Sequence, residues 1–173
     1  MLEAIANKLA ISIKRANTEE TASVEVMTYS LGILLNLFAT LILTTIFGLI
    51  FGKTVEIFTI LIAFAVLRAF SGGYHFEKSE YCVIFSTAMA IGLSYADFSL
   101  IPNLILTMMS LLLVAWFAPY SKVRNTLIPV KYDPFLKIVS IVIVATNFLF
   151  VSSLLSAAFF VQALTLISFH RKG

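Results

Sequence analysis

The sequence predicts an all-α polytopic membrane protein: an N-terminal amphipathic helix at the membrane interface, then about six transmembrane helices, with both termini cytoplasmic. Three observations predict it. Hydrophobic residues fill 60% of the 173 positions and charged residues 12%, against roughly 45–50% and about 25% in soluble chains. The mean hydropathy of +1.00 is too high for a single core to absorb, so lipid must form part of the solvent. The apolar residues also fall in long runs, with the basic residues gathered in alternate connections.

Residues 2–15 form the first element. Leu2, Ile5, Ala6, Leu9, Ala10 and Ile13 recur at helical spacing, while Glu3, Asn7, Lys8, Lys14 and Arg15 take the remaining arc. The stripe is too short to span and suits the interface; the alternative is a surface that recruits a partner. Asn17 and Glu20 resemble a capping box, which predicts a new helix start there. Residues 1–28 are therefore read as an interfacial region, and residues 29–173 as one transmembrane domain.

The spans come in order. The first covers about Tyr29–Phe51, ending before Lys53, and the second about Thr54–Ala69. The third is about Tyr81–Asp97, and the fourth about Phe98–Ala118 with Pro102 in its first turn. From Phe135 to Phe169 the chain is apolar for 35 residues, too long for one span of roughly 20. Dividing it around Ser152, Ser153 and Ser156 gives the fifth and sixth. Asn36 and Asn147 lie inside spans, where hydrogen bonding between helices is their expected task.

Charge sets the orientation. With the N-terminus inside, the cytoplasmic basic residues are Lys8, Lys14, Arg15, Arg68, Lys78, Lys122, Arg124, Lys131, Lys137, Arg171 and Lys172, and only Lys53 lies outside. That asymmetry obeys the positive-inside rule, and the opposite orientation inverts it. The net charge of +3 then reflects cationic loops, and no nucleic-acid partner is expected. The basic loop Pro119–Pro134 sets topology and meets anionic lipid, or else binds an acidic substrate segment.

The chemistry concentrates in residues 68–82. This stretch joins two apolar runs, carries Gly72-Gly73, and holds the single cysteine, Cys82, and one of two histidines, His75. One cysteine excludes an internal disulfide and a CxxC metal site, and neither metal nor cofactor is expected. A thiol attacks carbonyls as the thiolate, and an imidazole can take its proton and return it to a leaving amine. Seven residues separate His75 from Cys82, which on a regular helix puts the Cα atoms about 10 Å apart. The helix must therefore break between them, with the glycines setting an irregular turn. Each feature also has a plainer explanation: a buried small hydrophobe, a solvated polar tip, a simple turn.

Arg68, Ser71-Gly72-Gly73, Tyr74-His75 and Cys82 resemble the signature of the AgrB (accessory gene regulator protein B) family. The similarity extends to chain length, the amphipathic N-terminus, the layout of spans and Ala118-Pro119 after the fourth span. Beyond that dipeptide the chain departs from the family pattern with Tyr120-Ser121-Lys122-Val123-Arg124-Asn125. The resemblance implies a membrane cysteine endopeptidase that removes the C-terminal tail of an AgrD-type precursor through an acyl-thioester. The precursor's own cysteine or serine then closes a thiolactone or lactone. On this pattern Cys82 is the nucleophile and His75 the general base and acid. Arg68 binds the acidic tail or merely snorkels; Gly72 and Gly73 present N–H groups to the oxyanion or only make the turn. No third member that orients His75 is identified: Glu77, Ser79 and Glu80 are local candidates, or else form a solvated first turn. The lipid bilayer and a second copy, as a homodimer, are the further partners implied. A small transporter or exporter with a broken-helix site at Gly72-Gly73 is the competing class, though no span pairs ionisable groups near its middle. A non-catalytic scaffold is the third.

Overall fold

A computed structural model describes residues 2–16, 22–73, 79–119 and 130–170. All regular structure among them is helical. The helices are α1 (Leu2–Ala16), α2 (Val24–Phe51), α3 (Thr54–Ser71), α4 (Ser79–Leu93), α5 (Leu100–Phe117), α6 (Asp133–Ala145), the single turn α7 (Asn147–Phe150) and α8 (Ser153–His170). A 3-10 turn over Val130–Tyr132 leads into α6.

Four segments are long and apolar enough to cross a membrane: α2, α3, α5 and α6 continued through α7. Helix α4 and the Ser153–Ile167 part of α8 are apolar but shorter. Six apolar segments thus succeed α1, with boundaries that differ from the sequence expectation in two places. Helix α2 starts earlier, at Val24. Ser23 is extended (φ −60°, ψ 151°) and its Oγ accepts the Val26 N–H at 3.4 Å, an N-cap; the expected capping box at Asn17 and Glu20 lies outside the described residues. Helix α4 stops at Leu93 instead of running on to Asp97. There the Ser94 hydroxyl donates to the Ile91 carbonyl at 2.7 Å, which favours a turn over another helical residue, and residues 94–99 connect α4 to α5.

Helix α3 is the centre of the bundle. Ile57, Ile60, Ala63, Phe64, Leu67 and Ser71 are buried along it at helical spacing, and it packs against α2, α4, α6 and α8. Its neighbour α8 presents Ser156, Ala157, Ala158 and Ala163, all buried, and small residues of this kind let helix backbones approach closely in lipid. Several buried hydroxyls are satisfied within their own helices, although among the described residues Thr87 Oγ1 is buried without a hydrogen-bond partner. Thr44 donates to the Thr40 carbonyl at 2.7 Å, Ser110 to Leu106 at 2.7 Å and Ser140 to Leu136 at 2.8 Å, so these three hydroxyls carry no unpaired donor into the bilayer.

The bundle has two distinct ends. At one, α2 turns into α3 through Gly52 in the left-handed region (φ 64°), with the Lys53 N–H donating to the Gly48 carbonyl at 2.9 Å. Lys53 pairs there with Glu56 at 3.0 Å. The same end holds the break between α7 and α8, at Val151–Ser152, inside the division expected from the serines. Val151 has φ 48°, a left-handed conformation that a β-branched residue adopts only when its surroundings enforce it. Asn103 Nδ2 donates to the Val151 carbonyl at 2.9 Å, and Asn147 Oδ1 accepts the Ser152 N–H at 3.0 Å. Asn147 Nδ2 in turn donates to Asn103 Oδ1 at 3.2 Å and to Thr107 Oγ1 at 2.9 Å. Asn147 therefore bonds between helices as expected. Asn36 does not: among the described residues its Oδ1 is buried without a hydrogen-bond partner.

Candidate functional site

The opposite end carries the expected site residues. Helix α3 terminates because Gly72 (φ 75°, ψ −155°) and Gly73 (φ 141°) take backbone angles that L side chains rarely reach. The Gly72 N–H still closes the last helical turn, donating to the Arg68 carbonyl at 2.9 Å. Space reinforces conformation at Gly73. A Cβ added there would lie 2.8 Å from Thr165 Oγ1, 3.0 Å from Gln162 Nε2 and 3.5 Å from an Arg68 guanidinium nitrogen. The Gly-Gly pair is thus pressed between the end of α3 and the second half of α8.

Cys82 is a free, half-buried thiol in the first turn of α4. Arg68 sits in the last turn of α3, which packs against α4, and its guanidinium lies 5.9 Å from the centre of the Phe64 ring. The structure therefore brings Arg68, Gly72, Gly73 and Cys82 to one rim of the bundle. His75 lies outside the described residues, as do Tyr74, Phe76, Glu77 and Lys78, so the expected turn from His75 back to Cys82 is not among the described geometry. Lys122 and Arg124 of the basic loop are outside it too.

Glu80 makes a contact that the sequence does not announce. Its Oε1 accepts the Leu2 N–H at 3.3 Å, placing a carboxylate at the N-terminus of α1, where the helix dipole favours negative charge. Helix α1 lies along α2, with Ala6 and Ala10 buried and Thr28 hydrogen-bonded to Asn7 Oδ1 at 3.5 Å. Ile5, Leu9 and Ile13 remain exposed on it. The amphipathic helix is thereby tied to the first turn of α4, the turn that carries Cys82.

Gln162 and Thr165 are the members of the rim that sequence reasoning missed. Gln162 is fully buried and donates from Nε2 to the Gly72 carbonyl at 2.7 Å and to Ser71 Oγ at 3.3 Å. The signal is present in the chain: Gln162 is its one glutamine, set within an apolar span, where an amide is costly unless paired.

A helical bundle of membrane-spanning type, with a cysteine, an arginine and a glycine turn gathered at one rim, defines a polytopic membrane protein with a thiol site at its edge. The family model for AgrB, accessory gene regulator B, matches residues 3–170, and the chain belongs to that family. An AgrB-like protein of Halalkalibacterium halodurans is 36% identical over 121 residues, which cover 69% of this chain and 61% of that relative's length. No solved structure matches the chain.

Proposed function

We propose that this protein is a membrane-embedded cysteine endopeptidase that trims an AgrD-type peptide precursor and passes the acyl group to the precursor's own nucleophile. The observation that carries this reading is the half-buried Cys82 thiol at the start of α4, on the rim where the neighbouring helix α3 ends with Arg68 and the Gly72-Gly73 turn that precedes His75 in the sequence.

The chemistry runs in two balanced steps. His75 takes the thiol proton, and the Cys82 sulfur attacks the scissile carbonyl. The carbon–nitrogen bond breaks, and the imidazolium returns the proton to the departing amine of the tail. The acyl group is then held on Cys82 as a thioester. A thiol or hydroxyl within the precursor attacks that carbonyl, closing the ring and releasing Cys82 with a proton. Exchange of a thioester for a thiolactone keeps the bond type, so no ATP is consumed, provided water is kept away. A site at the rim of an apolar bundle favours that exclusion. Arg68 supplies positive potential for an acidic tail or for charge developing at the sulfur.

The cytoplasmic placement of this rim is part of the same proposal. It is supported by the distribution of described basic residues: Lys8, Lys14, Arg15, Arg68, Lys131 and Lys137 belong to the end that holds Cys82, and Lys53 to the other. The test is precursor processing in membranes by Cys82→Ser. The variant is expected to insert normally and release no tail; tail release at the wild-type rate would remove the assignment.

A further inference from the structure

Gln162 sits ninety residues from Gly72 in sequence and on a different helix, yet its side-chain amide is spent on the turn that ends α3. One N–H goes to the Gly72 carbonyl at 2.7 Å and the other to Ser71 Oγ at 3.3 Å. Ser71 Oγ itself donates to the same Gly72 carbonyl at 3.2 Å. The orientation of the amide is dictated by chemistry. Turned over, its oxygen would face a carbonyl oxygen at 2.7 Å, a contact between two acceptors. The Thr165 hydroxyl fixes the other side, donating to the Gln162 main-chain carbonyl at 2.7 Å and lying 3.3 Å from Oε1. Ser71 and Gln162 are both fully buried, so water is not an alternative partner for these groups. Gly73 completes the fit, because even a methyl group there would strike Thr165 Oγ1 and Gln162 Nε2.

We infer that Gln162 is a positioning residue: by holding the Gly72 carbonyl against α8, it sets the direction in which the chain leaves α3 towards His75. This inference rests on the peptidase proposal, in which His75 must meet Cys82. Only Tyr74 separates Gly73 from His75, and a small backbone rotation at a glycine pair swings the next residues through ångströms. Reactivity depends on such placement steeply.

The test exploits the single cysteine, since iodoacetamide then reports on Cys82 alone and needs no precursor. Alkylation rates across pH are measured on the full-length membrane-inserted protein for wild type, His75→Ala, Gln162→Met and the double variant. Methionine keeps nearly the volume of glutamine and removes both donors. The expected result is slower alkylation in His75→Ala, slowing of up to about 100-fold in Gln162→Met, and no further slowing when the two are combined, because both act on one pair. Gln162→Met at the wild-type rate, or equal slowing with and without His75, overturns the inference and leaves the peptidase proposal standing. A His75→Ala variant that alkylates like wild type defeats the peptidase proposal itself, and this inference with it. Should Gln162→Met not insert, Gln162→Asn keeps the amide, shortens its reach by one methylene, and enters the same cycle with the same outcomes.

Discussion

Glu80 Oε1 accepts the Leu2 N–H at 3.3 Å, so the first helix is fastened two residues before the candidate nucleophile. The amphipathic helix is therefore part of the rim in its own right. Glu80→Ala is expected to free the first turn of α1 and raise amide exchange at its N-terminus several-fold, while exchange in the middle of α3 stays unchanged. Equal protection of α1 in both proteins would show that packing of Ala6 and Ala10 against α2 suffices without the carboxylate.

Gly73 and Gly52 offer a controlled comparison. Both have positive φ, but a Cβ at Gly52 meets nothing within 4 Å, whereas at Gly73 it meets Thr165 and Gln162 at 2.8 and 3.0 Å. Gly52→Ala carries conformational strain alone, about 1–2 kcal/mol. Gly73→Ala adds a steric clash and is expected to lower Tm further and to abolish precursor processing. Gly52→Ala should process normally once folded. Thermal melts in detergent and a processing assay check the two halves separately.

Arg68 ends α3 on the same rim as Cys82, which lies in the first turn of the contacting helix α4. Arg68→Gln is expected to slow tail release from the precursor, since a cation on this rim favours binding of an acidic tail. Arg68→Lys keeps the charge but not the planar fork, and should recover part of the rate. Identical rates in all three proteins would leave Arg68 with a packing role against Phe64.

At the far end, Asn147→Leu strips the partners from Asn103 Oδ1 and the Ser152 N–H and removes the donor to Thr107 Oγ1, which keeps its own bond to the Asn103 carbonyl. A cost of about 1–3 kcal/mol is expected for groups left unpaired in an apolar interior. Because the rim with Cys82 lies at the other end of α8, the rate of processing by the folded fraction should not change. A combined loss of stability and rate would mean that the two ends communicate along α8.

The six apolar segments are legible in the chain because lipid imposes a simple requirement on length and composition, met by runs such as 24–51 and 100–117. The site signature is legible for a related reason: Gly72-Gly73 and Cys82 are rare residue types in an apolar chain and stand close in sequence. Whatever depends on distant partners is hidden. Gln162 and Asn103 gain their meaning from Gly72 and Val151, ninety and forty-eight residues away, and nothing local announces such pairings. The task of Glu80 is hidden for the same reason, since its neighbour Leu2 comes from the chain's beginning. Hydropathy does fall after Leu93, through Ser94, Tyr95, Asp97 and Ser99, but it does not mark the residue at which α4 ends, which the Ser94 hydroxyl fixes by its bond to the Ile91 carbonyl.

The most direct measurement is intact-protein mass spectrometry after mixing the membrane-inserted protein with a precursor whose internal nucleophile has been replaced by alanine. With no group to accept the acyl chain, the trimmed precursor should accumulate on Cys82 as an adduct that hydroxylamine removes, and none should form on Cys82→Ser or His75→Ala. Release of the tail with Cys82 remaining unmodified would contradict a thioester route and take the nucleophile's role away from this cysteine.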